Sequence, residues 1–152
     1  MKNYTLEELV HKAASYCSIS EHCISEVKEK LKNWEVDQSK SDTIINRLIA
    51  NDFINEKRYS NAFVKDKFRF NKWGKVKISY ALQQKGIDKQ SIAEALALID
   101  DGEYEEMLAD LLQSKVKTIK WEYEYEKMGK LFQFAQSRGF ESSVIDRVIR
   151  NL

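Results

Sequence analysis

The sequence predicts an all-α protein made of three tandem three-helix repeats. The chain of 152 residues has no proline and five glycines, whereas folds rich in strands depend on Gly and Pro turns. Apolar residues recur every three or four positions along most of the chain, as they do on one face of an α-helix. A weak internal repeat also links three stretches of the sequence, and stacked helical units produce such repeats.

Nine apolar stripes predict nine helices. In chain order, the stripes run over residues 6–17, 23–34, 44–49, 59–70, 78–82, 92–99, 104–112, 128–135 and 145–152. Asn55 can cap the fourth helix, and Gly74 separates it from the fifth. Each trio of helices is too small to bury its stripes alone, so neighbouring trios are expected to stack. Trp34 and Trp121 are expected to fill gaps between stacked helices.

The internal repeat is defined by three helix ends with similar sequences. The matching stretches are 31–36 (LKNWEV), 82–87 (LQQKGI) and 135–140 (AQSRGF). Gly86 and Gly139 stand where a helix commonly stops in a left-handed conformation. Glu35 takes this place in the first copy, so its turn is expected to be built differently. The predicted repeats are 1–53, 54–100 and 101–152, of which the second is basic and the third begins with an acidic segment.

Positive charge is concentrated in the predicted second repeat. Between Lys57 and Lys89, ten Lys and Arg residues stand against two Asp residues, a local charge of +8 in a chain whose net charge is +1. Aromatic residues lie among these cations, and a basic face with interleaved aromatics attracts a polyanion such as DNA. The alternative is a solvated helix face with an aromatic core behind it. Residues 94–126 carry a charge of −7, so the molecule is expected to be dipolar.

Eight residues of this basic stretch are candidate contacts to a polyanion: Arg58, Lys65, Arg69, Lys72, Trp73, Lys75, Lys77 and Lys85. The first four are spaced so that they share one helical face if the fourth helix continues to Lys72. Lys75 and Lys77 follow the break at Gly74 and are expected to close the same patch from the next helix. Lys67 is expected to point away, since two positions correspond to about 200° of helical rotation. Trp73 is either a core residue or an exposed stacking surface.

Metal, cofactor and enzyme chemistry are not expected. His11, Cys17, His22 and Cys23 suit zinc by type, but they lack the paired spacing of a zinc site, and both cysteines lie on apolar stripes. The sequence has no Gly-rich phosphate loop and no nucleophile elbow. It also has no apolar run long enough to cross a bilayer and no signal peptide, so a cytoplasmic protein with reduced cysteines is expected.

The second repeat carries the most specific motif of the chain. It begins with Arg58-Tyr59-x-x-Ala62, continues through a basic helix to Gly74 and Lys77-Ile78, and ends with the stretch 82–87. By these residues the chain resembles the RecX family, the bacterial regulators of the recombinase RecA. The resemblance extends from about Leu6 to Leu152.

The resemblance implies an elongated, curved right-handed-helix array of three-helix units. It also implies that the chain binds as a monomer along the groove of the RecA–DNA filament and inhibits recombinase, ATPase and co-protease activity in DNA repair and the SOS response. DNA of either strandedness is an expected, non-specific partner. Two other classes remain: a general all-α nucleic-acid-binding repeat protein without a recombinase partner, and an enzyme that uses His11 and acidic residues.

Overall fold

The computed structural model describes residues 3–152, and this part of the chain consists of α-helices joined by turns and linkers, with no β-strand. Its nine α-helices are α1 (Leu6–Ile19), α2 (Ile24–Asn33), α3 (Gln38–Ala50), α4 (Glu56–Arg69), α5 (Lys75–Gln84), α6 (Lys89–Leu96), α7 (Asp101–Val116), α8 (Glu124–Ser137) and α9 (Ser142–Arg150). The predicted all-α class is confirmed. None of these helices combines the length and apolar character that a membrane span requires.

The helices are grouped into two compact units. Unit 1 comprises Met1–Phe63 and Leu82–Ile92, and unit 2 comprises Val64–Ala81 and Ala93–Leu152. Helices α4, α5 and α6 therefore each contribute residues to both units. The boundaries of the three sequence repeats stay a prediction. The compact units reflect how the helices pack, whereas the repeats reflect similarity of sequence, so the units do not test the repeat boundaries.

Unit 1 has a core formed by the apolar faces of α1, α2 and α3. Val27, Leu31 and Ile44 are fully buried there, and Trp34 packs against the cluster from its edge. Capping hydrogen bonds define where the helices begin. The Glu8 N–H donates to Thr5 Oγ1 at 3.2 Å, and the Lys40 N–H donates to Asp37 Oδ1 at 3.0 Å. Such caps satisfy backbone donors that have no partner within the helix.

Unit 2 has a core formed mainly by α7, α8 and α9. Leu108, Leu112, Leu131 and Ile145 are fully buried in it. An aromatic row supports the same core, since the ring of Tyr104 lies 5.9 Å from that of Phe68 and 5.0 Å from that of Phe140, measured between centroids. Burial of such side chains is the main source of stability in a helical domain.

Two aromatic residues predicted to be buried are exposed. Phe70, placed on the stripe of the fourth helix, is 80% exposed because α4 ends one residue earlier, at Arg69. Trp121, expected between stacked helices, is 39% exposed because it lies in the linker between the end of α7 and the start of α8. For Phe70, the apolar period continues in the sequence beyond the point where the helix stops.

The three matching helix ends have the same turn. Gly86 and Gly139 have φ angles of 80° and 93°, as expected, but Glu35 is also left-handed, at 61°. In each copy the next residue donates its N–H to a carbonyl five positions back: Val36 to Leu31 at 3.0 Å, Ile87 to Leu82 at 3.1 Å and Phe140 to Ala135 at 3.2 Å. The expectation of a different turn at Glu35 is therefore wrong. The hydrogen bond imposes the left-handed backbone, which costs a residue with a Cβ about 1–2 kcal/mol.

Candidate nucleic-acid interface

The eight predicted contact residues are divided between the two units. Arg58 and Lys85 belong to unit 1. The other six, Lys65, Arg69, Lys72, Trp73, Lys75 and Lys77, belong to unit 2. The surroundings of the cations differ between the two groups, and so does their availability to a phosphate.

Arg58 is an ion-pairing residue in unit 1. Its guanidinium donates from Nε to Glu21 Oε2, from Nη1 to Asp52 Oδ2 at 3.0 Å, and from Nη2 to the Asp52 carbonyl at 2.9 Å. The hydrogen bond to Glu21 raises the pKa of Arg58 above its ordinary value. Two carboxylates already neighbour this single charge, so a phosphate would have to compete with them for Arg58.

Lys85 is held by the carboxylate of Glu26. Its Nζ lies 3.0 Å from Glu26 Oε2, and its backbone carbonyl accepts a 2.7 Å hydrogen bond from the Ser25 hydroxyl. The hydrogen bond to Glu26 raises the pKa of Lys85. Lys85 therefore joins the end of α5 to the start of α2, which is a structural role within unit 1.

Glu26 is the centre of this network. Besides Lys85, it accepts hydrogen bonds from the Cys23 N–H at 3.2 Å and the Tyr59 hydroxyl at 3.3 Å, and His22 Nδ1 lies 3.3 Å away. Burial alone would raise the pKa of Glu26, but the hydrogen bonds from Lys85, Cys23 and His22 lower it overall. The carboxylate is thus kept ionised, as expected for a carboxylate that accepts several hydrogen bonds.

The cations of unit 2 present a more open arrangement. Lys65, Arg69 and Lys72 are exposed, and no ion pair joins any of them to a carboxylate among residues 3–152. The spacing suggested that Lys72 continues the helical face of α4. It does not, because α4 ends at Arg69 and Lys72 has a φ angle of 58°. This left-handed residue turns the chain back, and the Trp73 N–H donates to the Lys67 carbonyl at 3.0 Å.

The turn brings Trp73 between two lysines. The Nζ atoms of Lys67 and Lys77 lie 4.9 Å and 4.7 Å from the centre of its ring. Both distances are within the range of cation–π attraction. Lys67, which helical rotation was expected to point away, therefore lies beside Trp73 and joins the candidate residues. Sequence reasoning missed it because a left-handed Lys72 carries no sequence signal comparable to a glycine.

We define the Trp73 patch as Lys65, Lys67, Arg69, Lys72, Trp73 and Lys77. Trp73 itself is half-buried, so it is neither of the two alternatives considered from the sequence. Its ring lies against two ammonium groups and part of it stays accessible. The patch combines exposed cations with one partly accessible aromatic face, which is the composition that favours binding to a nucleic-acid backbone.

Two glycines fix the position of the Trp73 patch. The Gly74 N–H donates to the Arg138 carbonyl at 2.7 Å, and the Val76 N–H donates to the Gly139 carbonyl at 2.9 Å. A Cβ on Gly74 would lie 2.3 Å from the Gly139 carbonyl oxygen, and a Cβ on Gly139 would lie 2.2 Å from the Lys77 Cβ. The two backbones can approach this closely only without side chains, so both glycines are required for packing, and Gly139 also for its left-handed turn.

Lys75 lies beside the Trp73 patch, but its interactions are with Tyr104 and Asp101. Its N–H donates to the Tyr104 hydroxyl at 2.8 Å, and its Nζ lies 4.8 Å from the centre of the Tyr104 ring and 3.9 Å from Asp101 Oδ1. The Tyr104 hydroxyl in turn donates to Glu141, and burial together with this hydrogen bond raises the pKa of Tyr104. Lys75 thus helps to anchor the start of α5.

The residues considered for zinc do not form a cluster. Within the described chain, no group of three or more His, Cys, Asp or Glu side chains has an arrangement suited to a metal ion. Cys17 and Cys23 are buried free thiols, and burial raises the pKa of both. A raised pKa disfavours the reactive thiolate form. His22 stacks on Tyr16 with ring centres 3.9 Å apart.

The fold and the motif together define a tandem helical-repeat protein. Residues 55–96 match the family model described as the second three-helix domain of RecX, and residues 103–149 match that of the third three-helix domain. These ranges fall within the predicted second and third repeats.

Curated relatives carry the same family name. The chain is 36% identical over 129 residues to "Regulatory protein RecX" of Clostridium beijerinckii, a match that covers 84% of this chain and 60% of the relative. It is 32% identical over 127 residues to "Regulatory protein RecX" of Clostridium botulinum strain Eklund 17B, with coverage of 82% and 59%. The chain belongs to the RecX family. It spans about 60% of the length of these relatives.

Solved structures show the same fold. The crystal structure of RecX from Lactobacillus salivarius superposes with a TM-score of 0.88 at 27% identity and covers 97% of this chain and 96% of that one. A second crystal structure of regulatory protein RecX gives a TM-score of 0.84 at 23% identity, with coverage of 95% and 73%. The helical arrangement is therefore shared with both proteins.

Proposed function

We propose that this chain is a cytoplasmic regulator that binds the RecA–DNA filament and inhibits its recombinase, ATPase and co-protease activity. Membership of the RecX family supports a regulatory role, because the curated relatives are named as regulatory proteins. The identity of the filament as the target rests on the resemblance of the sequence motif. Binding, and not catalysis, is the activity that the site supports.

The observation that carries the proposal is the Trp73 patch. Lys65, Arg69 and Lys72 are exposed cations without a carboxylate partner in the described chain, and Trp73 adds a partly accessible aromatic face. Cations of this kind release counterions when they approach phosphates, and each contact contributes about 0.9 to the salt dependence on duplex DNA, or about 0.7 on single strands. A filament that displays DNA phosphates in its groove would meet such a patch favourably.

The second candidate function is binding to nucleic acid without a recombinase partner. The same patch favours it, because phosphate contacts do not depend on the protein that covers the DNA. The two functions differ in what they require. A filament regulator must slow filament growth at concentrations where it leaves bare oligonucleotide largely unbound, whereas a general binder must act on both alike.

The experiment is filament assembly on single-stranded DNA, followed by light scattering with and without the protein. The test variant is Arg69→Ala/Lys72→Ala, which removes two charges of the Trp73 patch. The matched control is Lys28→Ala/Lys32→Ala, which removes two exposed charges from α2 in unit 1.

Wild type and the control are expected to inhibit assembly equally, while Arg69→Ala/Lys72→Ala inhibits less. The slope of log affinity against log salt should be flatter for this variant by roughly 1.4 to 1.8 units, corresponding to two lost phosphate contacts. Equal inhibition by all three proteins at every salt concentration would reject the patch as the contact. Inhibition that merely follows bulk DNA binding would favour the second candidate.

A further inference from the structure

A second site with cations and an aromatic ring lies in unit 2 and uses none of the Trp73 patch. It is a cleft of about 330 Å³ lined by Lys115, Ile119, Lys130, Gln133, Phe134 and Ser137. The Nζ of Lys115 lies 4.8 Å from the centre of the Phe134 ring, and the guanidinium carbon of Arg138 lies 5.2 Å from it. The cleft thus has an apolar floor with positive groups around it.

The linker between α7 and α8 forms one border of the cleft. Lys130 Nζ donates to the carbonyl of Lys120, which holds the linker beside the cleft. The residues that follow include three exposed aromatic side chains, Trp121 (39%), Tyr123 (54%) and Tyr125 (74%). The rings of the two tyrosines stack with centres 5.7 Å apart. Exposed Trp and Tyr next to an apolar cleft are typical of protein–protein contact surfaces.

The charge of unit 2 changes sign where the cleft begins. Residues 94–114 contain seven acidic and no basic residues, whereas residues 115–138 contain six basic and three acidic ones, a net charge of +3. Two of these three acids are engaged locally: Glu124 lies 3.6 Å from Lys127 Nζ, and Glu126 accepts from the Tyr123 N–H at 3.3 Å. The surroundings of the cleft therefore favour an acidic ligand.

Features of the site favour a peptide over a nucleic acid. The accessible surface of the cleft is mainly apolar, which suits an apolar side chain better than a polar sugar–phosphate backbone. A single apolar side chain fits the floor, and neighbouring carboxylates would meet Lys115 and Lys130.

We propose that this cleft is a docking site for a segment of a partner protein that presents an apolar side chain flanked by Asp or Glu residues. Phe134 and Ile119 receive the apolar side chain, and Lys115 and Lys130 pair with the acids. This proposal goes beyond filament binding through the Trp73 patch, because it assigns a second surface with different chemistry.

The test is the binding of a short fluorescein-labelled peptide of Asp, Glu and Ser with a central Leu-Phe pair, measured by fluorescence polarisation. Two control peptides separate the contributions: one replaces Leu-Phe with Ser-Ser, and the other replaces the acids with Lys. Only the first peptide is expected to bind. Phe134→Ala should weaken its binding by about tenfold or more, as expected for loss of a buried anchor.

Lys115→Gln/Lys130→Gln should also weaken binding by about tenfold and reduce its salt dependence. This surface double variant keeps the test valid if Phe134→Ala fails to fold, which its thermal unfolding curve will show. Lys67→Ala/Lys77→Ala, in the Trp73 patch, should bind the peptide like wild type.

Three results would overturn the proposal. One is no binding of the acidic Leu-Phe peptide at millimolar concentration. Another is loss of oligo-dT binding in the Phe134 variant with unchanged peptide binding, which would make the cleft a nucleic-acid site. The third is a concentration-dependent dimer in analytical ultracentrifugation that Phe134→Ala abolishes, since the cleft would then bind a second copy of the chain.

Discussion

The basic stretch of this chain supplies two kinds of cation, which differ in their neighbours. In unit 1, Arg58 and Lys85 are bound by carboxylates of the same unit. In unit 2, Arg69 and Lys72 are exposed and have no such partner among the described residues. A charge that is already balanced gains little from a phosphate, because the existing ion pair must be broken first. Charge density in the sequence therefore overstates the number of cations that are available to a phosphate.

Among the substitutions, the greatest loss of stability is expected at Gly139, whose backbone packs against the start of α5 next to the cations of unit 2. Gly139→Ala would place a Cβ 2.2 Å from the Lys77 Cβ, in addition to its φ angle of 93°. We expect a loss of more than about 3 kcal/mol in the free energy of unfolding, from overpacking and the left-handed backbone together. Urea unfolding measures it.

Gly86→Ala is the matched control for that change. Gly86 has a φ angle of 80°, but a Cβ there would meet nothing within 4 Å. It should therefore cost only about 1–2 kcal/mol, the backbone contribution alone. Equal losses in the two variants would mean that the close approach of Gly139 to Lys77 adds nothing to the cost of a Cβ at this position.

The next effect concerns the carboxylate network that engages Lys85. Glu26→Gln should lower the free energy of unfolding at neutral pH by about 2 kcal/mol, because hydrogen bonds to a charged group are lost. This figure already allows for the partial exposure of the Glu26 side chain. The pKa of Glu26 is lowered from 4.5 in the folded state. Its stabilisation is therefore complete above that value and is lost as the pH falls through the folded pKa.

Thermal unfolding between neutral and acidic pH measures this dependence. Wild type should lose stability below about pH 4.5 more steeply than Glu26→Gln. The control is Glu29→Gln, an exposed position on the same helix, which should follow wild type. If Glu26→Gln and wild type have parallel pH profiles, the network does not keep the carboxylate ionised.

The smallest expected effect is that of Trp73→Leu. Loss of the two lysine contacts to the ring should reduce stability by about 0.5–1 kcal/mol. If a base stacks on the accessible part of the ring, oligonucleotide affinity should fall by a further 1–3 kcal/mol or so, without a change in the salt slope. Fluorescence titration of Trp73→Phe, which keeps a ring, should show affinity near wild type. A changed salt slope in Trp73→Leu would mean that the ring acts by positioning Lys67 and Lys77.

Much of the fold could be predicted from the sequence because helical periodicity is a local signal. The stripes, the cap at Asn55 and the left-handed turns at Gly86 and Gly139 all depend on residues close in the chain. The places where periodicity continued past a helix end, at Phe70 and Lys72, were interpreted wrongly. Apolar periodicity shows where a helix can form, but the turn that follows determines the residue at which the helix ends.

The surroundings of the candidate contact residues could not be predicted from the sequence, because they depend on contacts between distant residues. Arg58 meets Glu21, and Lys85 meets Glu26, across separations that no local pattern encodes. The left-handed turns at Glu35 and Lys72 also lack a glycine, which is the residue that indicates such a turn in a sequence. The role of Gly74 as a contact of Gly139 likewise appears only when the two backbones are placed together.

The most direct test of the comparison is the salt dependence of binding to a fluorescein-labelled oligo-dT strand. Two double variants remove two cations each, Arg58→Ala/Lys85→Ala from unit 1 and Arg69→Ala/Lys72→Ala from unit 2. The unit 2 variant should flatten the slope of log affinity against log salt by roughly 1.4 units, while the unit 1 variant keeps the wild-type slope. Equal flattening by both variants, or flattening by the unit 1 variant alone, would contradict the account.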